Sequence, residues 1–220
     1  MRNGYRLLVF DWDGTLLDSA AHIVAGMRAA LADLGAAPIP EARLRNVIGL
    51  GLREALDTLF PERDEAFKRR YAERYRARFL DAPSPPRLFP GTAPVLECLA
   101  GDGYLLAVAT GKSRQGLTRE LQATGLDRRF HASRCADETC SKPDPRMLTE
   151  ILEELAVEPQ RALVIGDTEY DLEMARRAGA RSVAVLYGVH ERERLLRHRP
   201  EVCLEAIDAL PDWLAGRHGT

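Results

Sequence analysis

The sequence predicts an α/β protein, a parallel sheet with helices on both faces and an α-helical cap inserted after the first strand. Three observations predict it. Short apolar runs alternate with stretches of helical periodicity, the pattern of strand–helix units. Residues 12–104 separate the first run from the second, far more than the dozen or so residues that a crossover needs. The 220 residues are 45% hydrophobic and 29% charged, ordinary values for a folded domain with a modest insertion.

The elements follow in order. Leu7–Asp11 is brief, apolar and closed by an acid, so it reads as a buried strand. Residues 16–88 read as the cap, leaving 1–15 and 89–220 as the sheet domain. Within the cap, Ile23, Val24, Met27, Leu31 and Leu34 form one amphipathic stripe, and Phe67, Tyr71, Tyr75 and Phe79 form another at i+4 spacing. The second stripe reads as the cap's own core. The segment Ala82-Pro83-Ser84-Pro85-Pro86 has the stiffness of a linker. Leu105–Thr110, Arg129–Ala132, Ala162–Gly166 and Ser182–Leu186 are the remaining expected strands. Met147, Leu148, Ile151, Leu152 and Leu155 share one face of a helix, and Gly125 and Gly179 stand where helix C-terminal caps are expected.

Charge and cysteine content exclude several functions. The net charge is −2, and no segment gathers bases without acids, so the footprint of a nucleic-acid binder is missing. Leu7-Leu8-Val9-Phe10 is too short for a signal-peptide core or a membrane span, and the chain is expected in the cytoplasm, as a monomer or homodimer. Cys98, Cys135, Cys140 and Cys203 show no CxxC and no companion His at zinc spacing, so they read as reduced thiols. Only Lys68, Lys112 and Lys142 are lysines among 31 basic residues, which makes each one worth questioning.

The chemistry is concentrated where strands end. Asp11-Trp12-Asp13-Gly14-Thr15 closes the first run, and ligands in open α/β sheets bind at the carboxyl ends of strands. Asp11 and Asp13 point the same way by strand alternation, and Gly14 permits a turn just beyond. Thr110-Gly111 offers a hydroxyl and a backbone N–H that an anion can approach. Lys142-Pro143 precedes the amphipathic helix, and Gly166-Asp167-Thr168-Glu169-Tyr170-Asp171 sets two more acids beyond a buried strand. Acids from two strand ends with neutral and cationic anion binders suit phosphoryl transfer with a magnesium ion.

These four motifs, in this order, resemble those of the haloacid dehalogenase superfamily, and within it the phosphatases with a small helical cap, phosphoglycolate phosphatases above all. The resemblance covers essentially the whole chain and implies a Rossmann-like sheet. It implies Asp11 as the nucleophile that becomes an aspartyl-phosphate, and Asp13 as the acid that protonates the leaving oxygen and then activates water. It implies Mg2+ held by Asp11, the Asp13 carbonyl and Asp167, with Asp171 in support behind them. Thr110 and Gly111 would grip phosphoryl oxygens, and Lys142 would bridge nucleophile and phosphate as a compact charge. The expected reaction is Mg-dependent hydrolysis of a small phosphorylated metabolite, of phosphoglycolate or sugar-phosphate type. A phosphomutase of the same superfamily is the alternative, although its close relatives tend to carry Glu where this chain has Gly166. A non-catalytic binding module is a further rival, and none of the residues that chemistry needs is lost.

Other residues carry weaker signals. Asn46-Val47-Ile48-Gly49-Leu50-Gly51-Leu52 resembles a loop that such caps lower onto the site, with Arg45 or Arg53 beside it to meet a substrate carboxylate or second phosphate. Lys112 reads as a solvated lysine, Trp12 as packing against a flanking helix, and His190 as a loop residue with no assigned contact.

Overall fold

The computed structural model describes residues 4–80 and 86–216. All but the last residue of the Pro-rich stretch therefore lies outside the described residues. In chain order the first elements are β1 (Leu7–Phe10), β2 (Leu17–Asp18), α1 (Ala20–Asp33), α2 (Glu41–Asn46), α3 (Leu52–Leu59), α4 (Glu65–Leu80) and β3 (Arg87–Leu88). They are followed by α5 (Thr92–Gly101), β4 (Leu105–Thr110), α6 (Arg114–Thr124), β5 (Ala132–Cys135), α7 (Arg146–Leu155), β6 (Ala162–Gly166), α8 (Glu169–Arg177), β7 (Arg181–Val185) and β8 (Cys203–Leu204).

Six strands form one parallel sheet in the order β5-β4-β1-β6-β7-β8. β1 is apolar at every position because both of its faces are covered. Leu8 and Phe10 enter one core with Leu106, Val108 and α5, while Leu7 and Val9 enter the other with Ala107, Val164 and α7. Burying each such side chain contributes about 1.5–3 kcal/mol, so a polar substitution here would break the sheet. β1 is also the switch point: the chain builds outward through β4 and β5, then returns to β6 on the other side, opening a crevice at the strand ends. Phe10 is level with both Val108 and Ile165, which brings Asp11, Thr110 and Asp167 to one end of the sheet.

The insertion leaves through a short antiparallel ribbon, in which Leu17 faces Leu88 and Asp18 faces Arg87. Gly14 makes the exit turn at φ +87°, a conformation that side chains resist. Leu16 and Leu17 pack into the core of the sheet, whereas α1–α4 surround an apolar cluster of their own. Within that cluster the Tyr71 hydroxyl donates to Met27 O at 3.0 Å.

Some expectations need correcting. The third expected strand lies three residues later than Arg129–Ala132, because its Ser133 and Arg134 give it no apolar signature. The two-residue strands β2, β3 and β8 carry too little pattern to be read. The aromatic stripe of α4 divides: Phe67 and Tyr71 are buried in the cap, but Tyr75 and Phe79 are half-buried and face the strand ends. Among the described residues no helix is long and apolar enough to cross a membrane.

Candidate active site

Lys142 organises the strand ends. Its side chain is wholly buried, and Nζ donates to Asp11 Oδ1 at 2.7 Å, Asp171 Oδ1 at 2.7 Å and Ala109 O at 3.1 Å, which uses all three of its protons. Burial disfavours its charge, but Asp11 and Asp171 outweigh burial and raise its pKa, so it is a fixed cation.

Asp11 and Asp171 share that ammonium, and a third buried carboxylate, Asp167, stands beside them. One oxygen from each of Asp11, Asp167 and Asp171 lies within 4.8 Å of the others. Asp167 accepts from the Thr15 hydroxyl at 2.7 Å and from Val189 N–H at 2.8 Å. Asp171 spends its second oxygen on Thr168, whose N–H (3.1 Å) and hydroxyl (2.7 Å) both donate to it, so it serves the start of α8 and Lys142 together. Burial raises the Asp11 pKa well above the usual carboxylate range against the pull of Lys142, and pushes Asp167 up to about 7, with the charge of Asp171 adding to it. Asp11 Oδ2 is buried without a hydrogen-bond partner. An orphaned anionic oxygen beside two more carboxylates, closed to water, suits a hard divalent cation that prefers oxygen ligands. The backbone is drawn tight there: a Cβ on Gly14 or Gly188 would lie 2.3 Å from Asp167 Oδ2.

Asp13 faces differently. Its carboxylate accepts from the Ser19 hydroxyl at 2.7 Å and pairs with Lys112 Nζ at 3.1 Å. Ser19 stands at the N-terminus of α1 but makes no capping bond with its side chain, since the hydroxyl is committed to Asp13. Lys112 is not the solvated lysine that the sequence suggests. Its side chain is about 10% exposed and also pairs with Glu120 at 3.1 Å, while Phe79 of the cap covers it with its ring centroid 4.8 Å away. Trp12 packs in the core against α6 and donates from Nε1 to the same Glu120 at 2.6 Å. Glu120 was not legible in the sequence, because its partners Trp12 and Lys112 lie on other elements and it sits inside the Leu117/Leu121 stripe of α6.

The cap loop is seated on the core through glycines. A Cβ on Gly111 would lie 2.3 Å from Leu50 O and 2.7 Å from Gly49 O, and one on Gly51 would lie 2.9 Å from the Ala136 Cβ. Gly51 N–H donates to Ser141 Oγ at 2.6 Å, next to Lys142. Thr110 is buried, and its hydroxyl accepts from Lys112 N–H at 3.2 Å. Arg53 lines the cavity above these residues, whereas Arg45 turns to the Asp167 loop and donates to Gly188 O at 3.5 Å. His190 lies behind the site: Nδ1 accepts from Glu169 N–H at 3.1 Å, the ring meets Tyr170 edge-on, and burial followed by the Arg194 charge lowers its pKa to about 4.

Residues 8–185 match the family of haloacid dehalogenase-like hydrolases, a span that takes in the sheet through β7, the α1–α4 insertion and all four motifs. This chain belongs to that family. A phosphoglycolate phosphatase of Agrobacterium fabrum is 32% identical over 93% of this chain and 90% of its own. An N-acetylmuramic acid 6-phosphate phosphatase of Pseudomonas putida is 35% identical over 83% of each chain. The crystal structure of a hydrolase from Pseudomonas syringae superposes with a TM-score of 0.88 at 26% identity, covering 97% of this chain and all of that one.

Proposed function

We propose that this hydrolase releases phosphate from small monoesters, with Asp11 as nucleophile and with a magnesium ion. The broader part of the reading, a phosphoric monoester hydrolase, rests on phosphatase relatives matched along most of their length. The finer part rests on one observation above all, the buried Asp11 carboxylate held by Lys142 on one oxygen and unpartnered on the other.

Asp11, the Asp13 carbonyl and Asp167 would hold the ion, with Asp171 and Thr15 fixing the carboxylates from behind. Bound there, Mg2+ supplies positive charge between an anionic nucleophile and an anionic phosphate. Asp11 attacks phosphorus and the bond to the leaving oxygen breaks, while Asp13, which carries a proton once the anionic ester is bound, delivers it to that oxygen. Asp13, now a carboxylate, takes a proton from water as it attacks the aspartyl-phosphate, which frees inorganic phosphate and restores Asp11. Lys142 holds Asp11 in line throughout, and Lys112 with Ser19 holds Asp13. Thr110 and Gly111 would hold phosphoryl oxygens beneath the cap loop. A phosphomutase gains no support at Gly166, where a Cβ would lie 2.4 Å from that of Asp171, leaving no room for a Glu side chain.

The test is phosphate release from acetyl phosphate with Mg2+, followed by mass spectrometry of rapidly quenched protein. A phosphate adduct on Asp11, absent in Asp11→Asn, is expected. Turnover by Asp11→Asn above a few per cent of wild type, with deamidation excluded, overturns the covalent mechanism.

A further inference from the structure

The cavity above Asp11 and Asp13 has a volume of about 760 Å³. A two-carbon phosphate has the bulk of a handful of waters, each about 30 Å³, and would leave most of that space unfilled. The cavity falls in the range of roughly 300–1,000 Å³ that encloses ligands with rings and several substituents. Its size is therefore the first sign that the leaving group is large.

The walls say what kind of group fits. On the cap side, Ile23 and Met27 of α1 and Tyr75, Phe79 and Leu80 of α4 present a continuous apolar face. Leu80 is one of only two large hydrophobic side chains left exposed among the described residues, at 56%, and it lies at this mouth. The Phe79 ring is fixed in place: His22 meets it edge-on at 4.4 Å, Tyr75 stands at 5.9 Å, and Lys112 lies against it at 4.8 Å. A rigid aromatic surface of this kind gains by contact with another ring or with the apolar face of a sugar.

The rim is cationic. Arg53, Arg76, Arg119 and Arg146 line it with no salt bridge among the described residues, though Arg119 lies over the Phe79 ring at 6.0 Å and the charge of Arg146 bears on Glu150. Besides Asp11 and Asp13, which Lys142 and Lys112 hold, only Glu54 and Asp137 oppose them in this lining, and Asp137 Oδ1 already accepts from Arg114 N–H. An excess of guanidiniums over carboxylates in this lining recognises a second anion beside the phosphate, most directly a carboxylate.

We infer that the preferred substrate is the phosphate ester of a ring-bearing alcohol that carries a further anionic group, rather than a two-carbon ester. The inference rests on the phosphatase reading and names its substrate class. The ring lies against Tyr75 and Phe79, the second anion reaches the arginine rim, and the phosphate reaches Asp11.

The experiment compares kcat/KM of the wild type, with Mg2+, on the acyl phosphate acetyl phosphate and on three esters: phosphoglycolate, glucose 6-phosphate and N-acetylmuramic acid 6-phosphate. The last, with ring, methyl groups and carboxylate, is expected to exceed phosphoglycolate by tenfold or more, since one methylene in a fitted apolar pocket is worth about 10- to 200-fold. Glucose 6-phosphate, lacking the anion, is expected between them. Phe79→Ala should reduce the preference for N-acetylmuramic acid 6-phosphate over phosphoglycolate by at least tenfold. A preference for phosphoglycolate, or equal rates across the panel, overturns the substrate class while leaving the phosphatase reading intact. Absence of activity on all four, acetyl phosphate included, overturns the phosphatase reading and the inference with it. The wild-type ranking alone decides the substrate class, whether or not the Phe79→Ala protein folds.

Discussion

Removing the Lys142 ammonium tests the centre of the site most directly. In Lys142→Met the packing volume is nearly kept, but Asp11 and Asp171 lose a cation that lies 2.7 Å from each. Both carboxylates are at most 1% exposed, so water cannot replace it. Removing one partner of a buried ion pair costs about 3–5 kcal/mol. For a chain of this size each kcal/mol is worth about 2–4 °C, so melting in excess chelator should fall by about 6–20 °C. Lys142→Arg keeps the charge, but a planar guanidinium must fit where three acceptors surround a single nitrogen, and overpacking of that kind costs about 1–3 kcal/mol. Its melting should fall less than that of the Met variant, yet turnover on acetyl phosphate should drop in both by about 10² or more, the scale of a lost preorganised donor. The Asp171→Asn background should soften the Met penalty, since one of the two stranded carboxylates is already gone. A Met variant melting within 2 °C of wild type in the same assay, or an Arg variant within threefold of wild-type kcat, would refute the reasoning.

The remaining predictions concern metal, loop and rim. Chelator should abolish turnover reversibly, and Ca2+ should restore it poorly because it prefers a looser shell of six to eight oxygens; full activity in chelator, with metal analysis showing none bound, would falsify the metal assignment. Gly111→Ala places a Cβ against the Leu50 and Gly49 carbonyls, so kcat/KM should fall at least tenfold with melting nearly unchanged, and an unaffected kcat/KM would mean that the loop does not sit on Gly111 during turnover. Arg53→Ala should lower kcat/KM about 10- to 100-fold on an ester with a second anion, the scale of a charged hydrogen bond, while Arg45→Ala should not, because Arg45 faces Gly188. Equal losses in the two variants would assign both arginines to cap closure.

Much of the sheet is legible because a strand buried on both faces must be apolar at every position, as Leu7–Phe10 and Ala162–Gly166 are. The edge strand Ala132–Cys135 escapes that rule: Arg134 lies half-buried among Glu150 and Glu154, and its charges hide the strand. Acids at strand ends are legible for a similar reason, since Asp11 and Asp167 interrupt apolar runs where packing gives no cause for a charge. Lys112 and Glu120 interrupt nothing conspicuous. Their pairing depends on Trp12 and Asp13 from the segment that follows β1, so it exists only once the sheet is assembled. The aromatic stripe shows a different limit, because i+4 spacing places four rings on one helix face without saying where the cap's core ends and the cavity begins.

The two carboxylates of the first motif are held by different parts of the molecule, and this gives the cap a place in the chemistry as well as in selection. Asp11 is fixed entirely from the sheet domain, by Lys142 and by its own strand, whose N–H at Asp11 donates to Ile165 O at 2.9 Å. Asp13 is fixed from both sides. Ser19 belongs to the start of the first cap helix and gives up a helix cap to reach it, and Lys112 on its other side lies under Phe79 from the last turn of the fourth. Lifting the cap removes the aromatic cover from Lys112 and admits water to the Asp13–Lys112–Glu120 group, leaving the Asp11–Lys142 pair as it was. On the roles proposed above, the nucleophile is held independently of the cap, while the group that moves protons is held in part by it. Seating of the cap would therefore bear on the proton-moving step through Ser19 and the Phe79-covered Lys112, and leave the support of Asp11 unchanged.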